Sequence, residues 1–273
     1  MNIQFEKNGR KYRAESDQGI PIAIELDFNG EQPNHFGVET ASSMPIEIGD
    51  FIGRTNAGGG CNVDVVTLIP HCNGTHTESV GHIVEPNVPV ARLAQQSHFL
   101  AELITVEPSQ NHDGDSYIPE LAVDDRIITA KQIKAALKHL SSGMINALIV
   151  RTLPNDESKR SRAYGKDAVP GFFSSQAMEL IVESKIDHLL VDLPSVDRMH
   201  DDGKLSNHHF YWDVEQGKHA LREQSMAAKT ITEMIYVPSQ CADGTYLLSL
   251  QIAPFLSDAA PSRPILYPCE VED

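Results

Sequence analysis

Two amphipathic helical segments in the middle of the chain are each followed closely by an apolar segment typical of a strand. The first helix is predicted over residues 130–140 with Thr129 as its N-cap, and its strand over residues 147–150. The second helix begins after the N-cap Ser174 and precedes a strand over residues 188–191. Apolar side chains recur at i, i+3, i+4 and i+7 in the first helix. Alternation of helix and strand of this kind predicts an α/β fold.

The outer parts of the chain favour strands. Asn8-Gly9 lies between two short β-prone segments and predicts a tight hairpin turn. Further strands are predicted over residues 20–26, 230–237, 245–252 and 264–267, and mostly loop over residues 27–51. The sequence has no internal repeat and no low-complexity linker. We therefore expect one α/β domain over residues 1–273, with a mixed sheet and a sizeable antiparallel part.

Composition restricts the classes of partner. The 22 basic and 38 acidic side chains give a formal charge of −16, which argues against binding to nucleic acid or to anionic lipid. We expect a small-molecule substrate instead. The N-terminus lacks the apolar core of a signal peptide, and no apolar run approaches the ~20 residues that span a bilayer. These features predict a soluble, cytoplasmic protein, and the four scattered cysteines are expected to be reduced thiols.

The segment from residue 71 to residue 82 concentrates metal-coordinating side chains. It contains His71, His76, Glu78 and His82 within a dozen residues. Imidazole nitrogens and carboxylate oxygens are ligands that Zn²⁺ and Mn²⁺ accept. If the chain is extended here, His76 and Glu78 project from one face, because strand side chains alternate. A buried strand predicted over residues 63–69 would deliver His71 at its end.

Polar residues later in the chain are candidates for completing this site. Glu233 lies in an apolar strand, where an unpaired buried carboxylate costs several kcal/mol, and a metal ion would be a suitable partner. The doublet His208-His209 offers two further imidazoles, of which either is a candidate ligand. Asp192 and Asp197 follow a predicted strand and are interpreted as turn and cap residues.

The other unusual side chains are interpreted as structural. Trp212 is predicted to lie in the core or an interface, and Cys72 to be a small apolar filler. Seven histidines are assigned to the surface or to a satisfied core: His35, His98, His112, His139, His188, His200 and His219.

The order of these motifs resembles one known family. Gly74-Thr-His-x-Glu-x-x-x-His82 resembles the Gly-Thr-His-x-Asp-x-Pro-x-His signature of the cyclase-like hydrolases, which include bacterial kynurenine formamidases and isatin hydrolase. The segments Pro170-Gly-Phe-Phe-Ser-Ser-Gln-Ala and Asp192-Leu-Pro-Ser-Val-Asp, then His208 and Glu233, look like later landmarks of that family in the same order. The resemblance covers residues 63–268.

The resemblance implies a fold, a cofactor and roles for individual residues. The fold would be the family's swivelling β/β/α arrangement, assembled as a homodimer or homotetramer. One or two Zn²⁺ or Mn²⁺ ions would be bound, and His82 would match the catalytic acid/base. The matching metal ligands would be His71, His76, Glu78, His208 and Glu233.

The chain also departs from the family pattern. Asn73 looks inserted between the first histidine and the Gly-Thr-His, Glu78 stands for Asp, and Val80 stands for Pro. Leu153-Pro154 replaces the usual Gly-Trp after Arg-Thr, which predicts an altered substrate pocket. The interval from His208 to Glu233 is longer than in characterised members.

These features give one main hypothesis and two alternatives. The main hypothesis is a metal-dependent hydrolase that cleaves a C–N amide, of formamide or lactam type, or a related small acyl substrate. The first alternative is a catalytically degenerate family member that binds a small ligand. The second is an unrelated α/β enzyme, in which the histidine and glutamate candidates would be dispersed in space.

Overall fold

The computed structural model of the protein describes residues 2–93 and 96–272. The strands in chain order are β1 (Asn2–Lys7), β2 (Arg10–Glu15), β3 (Ile20–Pro21), β4 (Asn34–His35), β5 (Ser42–Pro45), β6 (Glu47–Ile48), β7 (Phe51–Ile52), β8 (Asp64–Thr67), β9 (His76–Ser79), β10 (His98–Val106), β11 (Ile127–Ile128), β12 (Ala147–Thr152), β13 (Ala163–Tyr164), β14 (Phe172–Phe173), β15 (His188–Val191), β16 (Thr230–Glu233), β17 (Gly244–Ile252) and β18 (Ala259–Glu272). The α-helices are α1 (Pro70–Asn73), α2 (Ala130–Leu137), α3 (Ser175–Glu183) and α4 (Ser206–Trp212). Short 3₁₀ turns cover Thr55–Ala57, Val80–His82, Val90–Arg92 and Glu157–Ser161.

The main sheet closes on itself. Its strands follow the order β18, β17, β10, β12, β15, β16 and β9, and β9 pairs with β18 again to complete a seven-stranded barrel. The four central strands β10, β12, β15 and β16 are mutually parallel, and the remaining barrel pairings are antiparallel. The hairpin of β1 and β2 extends the sheet beyond β18. The α/β fold with a mixed, partly antiparallel sheet is confirmed.

The two faces of the barrel wall carry separate cores. In β12, Ala147 and Ile149 belong to the cluster inside the barrel, whereas Leu148 and Val150 pack with the helices. Every residue of β12 is buried, as expected for a parallel strand covered on both faces. Ile231 of β16 also packs on the helix side. Because strand side chains alternate, Glu233 points to that same side.

The predicted helix starts are confirmed. Thr129 accepts a hydrogen bond from the backbone N–H of Gln132, whose side chain accepts from Thr129 N in return, which forms a capping box at α2. Ser174 accepts from the backbone N–H of Ala177 at the start of α3. The helix α2 ends at Leu137, three residues before the predicted end. The predicted hairpin is present, with positive φ at both Asn8 and Gly9.

The N-terminal region departs from the prediction in three places. Only Ile20–Pro21 of the strand predicted over residues 20–26 pairs as a strand. The predicted loop of residues 27–51 contains short strands, of which β5 pairs with β8. The strand predicted as buried over residues 63–69 is β8, and all four of its residues are exposed. Its valines led to the prediction of a core strand. An apolar run alone does not show whether the rest of the protein covers it.

Two further differences concern the last third of the described chain. The helix α4 was not predicted, since its sequence Ser-Asn-His-His-Phe-Tyr-Trp has weak helix formers and no regular apolar stripe. The strand expected over residues 230–237 ends at Glu233, because Met234 takes a positive φ of 54°. No helix of the described residues is long and apolar enough to cross a membrane.

Candidate metal centre

Four elements bring the predicted ligands to one end of the sheet. His76 and Glu78 lie on β9, and β9 pairs antiparallel with β16 so that His76 is opposite Glu233. The short helix α1 carries His71, which was expected instead at a strand end. The helix α4 packs over the sheet and carries His208. We call His71, His76, Glu78, His208 and Glu233 the His/Glu cluster.

The donor atoms of the His/Glu cluster lie within a few ångströms of one another. His208 Nε2 is 2.9 Å from Glu78 Oε1 and 3.9 Å from Glu233 Oε1. His76 Nε2 is 3.5 Å from Glu233 Oε2, and His71 Nδ1 is 3.2 Å from Glu78 Oε2. The alternative of dispersed candidates is therefore wrong.

Two polar atoms of this cluster are buried without a hydrogen-bond partner among the described residues. They are His76 Nε2 and Glu78 Oε2, and both residues are fully buried. His76 Nδ1 lies 2.9 Å from the backbone carbonyl of Gly74, which directs Nε2 toward the carboxylates. A buried polar atom without a partner is costly unless something else satisfies it. A cation between these donors would satisfy both.

The electrostatics of the cluster also favour a cation. Burial by itself raises the pKa of Glu78, but the charges of His82 and His208, the hydrogen bond from His208 and the nearby His71 ring hold that pKa well below its usual range. Burial lowers the pKa of His71, yet the hydrogen bond to Asp258 and the nearby Glu78 carboxylate outweigh it and raise the pKa to about 10. A field that stabilises protons on imidazole also stabilises a metal cation.

Asp197 fixes the orientation of His208. Its Oδ2 atom lies 2.5 Å from His208 Nδ1, and its Oδ1 accepts hydrogen bonds from Asn207 N and the Tyr117 hydroxyl, both at 2.7 Å. Asp197 was interpreted as a cap residue for nearby backbone, but the N–H groups that it accepts are those of Asn207 and His208 in the first turn of α4, 10 and 11 residues away. The additional contact with Nδ1 directs His208 Nε2 to the centre, as carboxylate partners of metal-binding histidines do.

His208 and not His209 faces the cluster. His209 Nδ1 lies 3.2 Å from the carbonyl of Val214 on the other side of α4.

Trp212 is fully buried in the core and its indole N–H donates to the carbonyl of Lys229, in agreement with its structural interpretation. Asp192 lies in a bend directly after β15, but its buried carboxylate pairs with Lys159 at 2.7 Å and, within the described residues, does not bond backbone nearby in sequence.

His82 stands at the mouth of the site. The 3₁₀ turn Val80–His82 follows β9 and leaves the His82 side chain 27% exposed. His82 Nδ1 is 4.0 Å from Glu78 Oε2 and 3.4 Å from Asp258 Oδ2. The ring is therefore open to a ligand on one side and next to the cluster on the other.

Sequence reasoning missed two residues of this site. Asp258 lies 2.8 Å from His71 Nε2, but it occurs in a loop between strands and no pattern in the sequence singles it out. His35 lines the pocket beside His71 and His82, is 3% exposed, and has neither ring nitrogen bonded within the described chain. It had been assigned to the structural histidines, because a lone histidine in a loop carries no signal of its surroundings.

The remaining structural histidines lie outside the His/Glu cluster. His139 and His188, for example, bond Glu102 and Thr230, respectively. Cys72 is buried and lines the same pocket, but in the described part of the chain it joins no group of close metal donors.

Solved structures of other proteins share this architecture. Isatin hydrolase A from Ralstonia solanacearum superposes with a TM-score of 0.61 at 16% identity, over 91% of this chain and 91% of that chain. An isatin hydrolase bound to the product analogue thioisatinate gives 0.58 at 12% identity, over 93% of each chain. A predicted metal-dependent hydrolase from Bacillus stearothermophilus gives 0.57 at 16% identity, over 91% of this chain and 97% of that chain. At these identities the likeness concerns the fold.

The sequence itself matches one family. A comparison with curated proteins found no match. The pattern of the family described as “Putative cyclase” matches residues 19–198, which is well over half of the chain and includes His71, His76, Glu78 and His82. The chain therefore belongs to the Cyclase family, in agreement with the resemblance seen in its motifs.

Proposed function

We propose that the protein is a metal-dependent hydrolase whose His/Glu cluster holds one or two divalent cations, Zn²⁺ or Mn²⁺. The observation that carries this proposal is the pair of buried, unpartnered atoms His76 Nε2 and Glu78 Oε2, which face other donors of the cluster. Three imidazoles and two carboxylates form a donor set that suits these ions. Glu78 presents Oε1 to His208 and Oε2 to His71, so both of its oxygens would be available as ligands of a bound cation.

The substrate of this hydrolase is a C–N amide of formamide or lactam type, or a related small acyl compound. A bound metal would lower the pKa of water from ~15.7 toward ~7 and polarise the scissile carbonyl. His82 accepts a proton from the attacking water and returns it to the leaving group, a role that suits an imidazole near pH 7. Asp258 Oδ2 lies 3.4 Å from His82 Nδ1 and would orient the ring, so that Nε2 remains for the proton transfer.

The remaining expectations about assembly and location belong to the same proposal. The protein acts as a homodimer or homotetramer in the cytoplasm, on a small-molecule substrate. The exposed strands β5 and β8 support an assembly, since Met44, Val65 and Val66 are each about half exposed or more. A two-stranded sheet is marginally stable by itself, so a covering surface would stabilise it.

Metal analysis and hydrolysis assays together test the proposal. Protein purified without added metal should contain Zn²⁺ or Mn²⁺ by elemental analysis and should hydrolyse members of a panel of N-formyl aromatic amides, isatin-type lactams and lactones. His76→Ala and Glu78→Ala should lose both metal and turnover. His82→Ala should keep the metal while kcat falls by ~10²–10⁴, the usual effect of removing an acid/base.

The controls separate this proposal from the degenerate binder. His98→Ala changes an exposed histidine that does not line the metal-site pocket, and it should keep both metal and activity. Full activity of His82→Ala would refute the role of His82. Bound metal without hydrolysis of any member of the panel would favour a family member that only binds a ligand.

A further inference from the structure

A second cavity lies beside the pocket of the His/Glu cluster. It has a volume of about 250 Å³ and opens where β12 and β15 end, between Thr152 and Leu193. Its lining shares no residue with the metal-site pocket. Tyr164 lines this cavity and packs edge-on against His35 of the other pocket, with 6.5 Å between ring centroids. Crevices at the carboxyl ends of parallel strands are common ligand sites in α/β sheets.

The charge of this cavity is opposite to that of the chain. Three lining residues are cationic, namely Arg126, Lys159 and Arg162, and none of the described lining residues is acidic. The whole chain has 38 acidic and only 22 basic side chains. A concave cationic lining on a chain of net charge −16 concentrates positive potential at one point, and such a cleft attracts anions.

The three cations have different roles, because they are not equally engaged by the protein. The Lys159 ammonium is 2.7 Å from Asp192 Oδ2 and donates to the carbonyl of Thr152 at 2.6 Å, so it is held in place. Arg162 donates from Nη2 to Asp156, which leaves Nε and Nη1 without a partner in the described chain. Arg126 Nη2 donates to the carbonyl of Pro108, and no described carboxylate pairs with it.

Tyr164 adds a hydroxyl group to the lining of the cavity. The residue is 6% exposed, and its hydroxyl, which is not among the fully buried polar atoms, makes no hydrogen bond within residues 2–93 and 96–272. Burial and the nearby Asp192 carboxylate raise the pKa of Tyr164, so the hydroxyl remains a hydrogen-bond donor at neutral pH. Guanidinium groups match the geometry of carboxylate and phosphate oxygens, and they do so better than ammonium groups.

We propose that this cavity is a second binding site, which takes the carboxylate or phosphate group of a small soluble anion between Arg126 and Arg162 with the Tyr164 hydroxyl as a further donor. The site goes beyond the proposed hydrolysis, because none of its residues belongs to the His/Glu cluster. Leu153-Pro154, the position where this chain departs from the Gly-Trp of its family, forms part of the lining. The departure and the cationic site therefore coincide.

Titration calorimetry with two probes tests the proposal on the full chain as purified. Inorganic phosphate and benzoate distinguish a phosphate from a carboxylate ligand, and at least one should bind saturably. Arg126→Gln and Arg162→Gln should each weaken that binding tenfold or more. Arg263→Gln removes the same charge from an exposed position outside the cavity and should bind like the unaltered protein. Because Arg126 is exposed, its variant tests the site even if Arg162→Gln does not fold.

A second arm distinguishes this site from the metal, since both probes are also metal ligands. Protein stripped with EDTA and dialysed free of the chelator should bind the probe with unchanged affinity. Absence of saturable binding by either probe would overturn the proposal. The proposal would also be overturned if both arginine variants bound the probe as tightly as the unaltered protein does, or if removal of the metal abolished binding. Failure of the hydrolysis assay would leave this result untouched.

Discussion

At the scale of single residues, the histidines of the His/Glu cluster are directed by contacts on their other ring nitrogen. His76 Nδ1 contacts the carbonyl of Gly74, and His208 Nδ1 contacts Asp197. Each contact leaves Nε2 for the centre and fixes the tautomer. His71 contacts Glu78 through one nitrogen and Asp258 through the other. Both ring nitrogens of His71 therefore already have a carboxylate neighbour, which would compete with a metal ion for them.

These residues were predictable to different degrees. His76 and Glu78 follow from the sequence, because an extended segment puts alternate side chains on one face. Glu233 was also recognisable, since a carboxylate in an apolar strand requires a partner. Asp258 and His35 could not be found in this way. Their roles depend on long-range packing that brings loops to the site, and loops carry no periodicity.

His188 provides a prediction for the dependence of stability on pH. Burial lowers its pKa from 6.5 to about 4, and the ring packs on Phe99 with 4.0 Å between centroids. The unfolded chain takes up a proton below pH 6.5, whereas the folded chain does so only near pH 4. Lowering the pH from about 6.5 to about 4 should therefore reduce the free energy of unfolding, by up to about 3 kcal/mol from this group.

Replacing His188 by Gln should flatten that part of the profile. The measurement is the free energy of unfolding by urea at pH 7 and pH 4.5, for the unaltered chain and for His188→Gln. The exposed residue His98 gives the matched control, His98→Gln, which should keep the original slope. An unchanged slope in His188→Gln would show that this histidine does not contribute to the acid sensitivity.

At the scale of elements, the turn after β9 sets the position of His82. Gly81 lies in this 3₁₀ turn, and a Cβ atom there would be 2.3 Å from Asn87 Oδ1 and 2.7 Å from the carbonyl oxygen of Val88. The backbone of the next loop thus packs directly against Gly81. Only a residue without a side chain allows this approach, which fixes the distance between Glu78 and His82.

Gly81→Ala should therefore affect both stability and turnover. The added methyl group forces the turn away from Val88, which should lower the free energy of unfolding by about 1–3 kcal/mol. His82 should be displaced with the turn, so kcat should fall more than metal content does. Denaturant unfolding, elemental analysis and the hydrolysis assay measure these effects. Gly60→Ala is the control, because no heavy atom lies within 4 Å of its Cβ position. Equal stability and activity of the two variants would contradict the argument.

The success of element predictions depended on whether local signals were sufficient. The helices α2 and α3 have caps and apolar stripes that are local, and they were predicted within a few residues. The helix α4 was missed because it is held by tertiary contacts, among them the N–H groups of Asn207 and His208 that Asp197 accepts. Burial of β8 was wrongly predicted, because whether an apolar strand is covered is decided by the rest of the molecule.

At the scale of the whole molecule, closure of the barrel creates the site. The strand β9 pairs on one side with β16 and on the other with β18, so residues near positions 78, 231 and 259 meet. These pairings span more than 150 residues of sequence, and no local pattern specifies them. The alternation of helix and strand could predict the parallel centre of the sheet, but not that its edges join through the strand that carries His76 and Glu78.

Because the cluster joins the barrel to α1 and α4, its metal should stabilise the whole fold. A ligand that binds only the folded state adds RT ln(1 + [L]/Kd), which is about 4 kcal/mol at a thousandfold excess over Kd. For a domain of this size, that corresponds to an increase in Tm of roughly 10 °C. The measurement is the thermal unfolding of metal-stripped protein with and without added Zn²⁺ or Mn²⁺. Glu78→Gln keeps the shape of the side chain but removes the charge at the centre, so it should lose most of this increase. An equal increase in Glu78→Gln would place the stabilising metal elsewhere, and no increase in the unaltered chain would exclude a metal link between these elements.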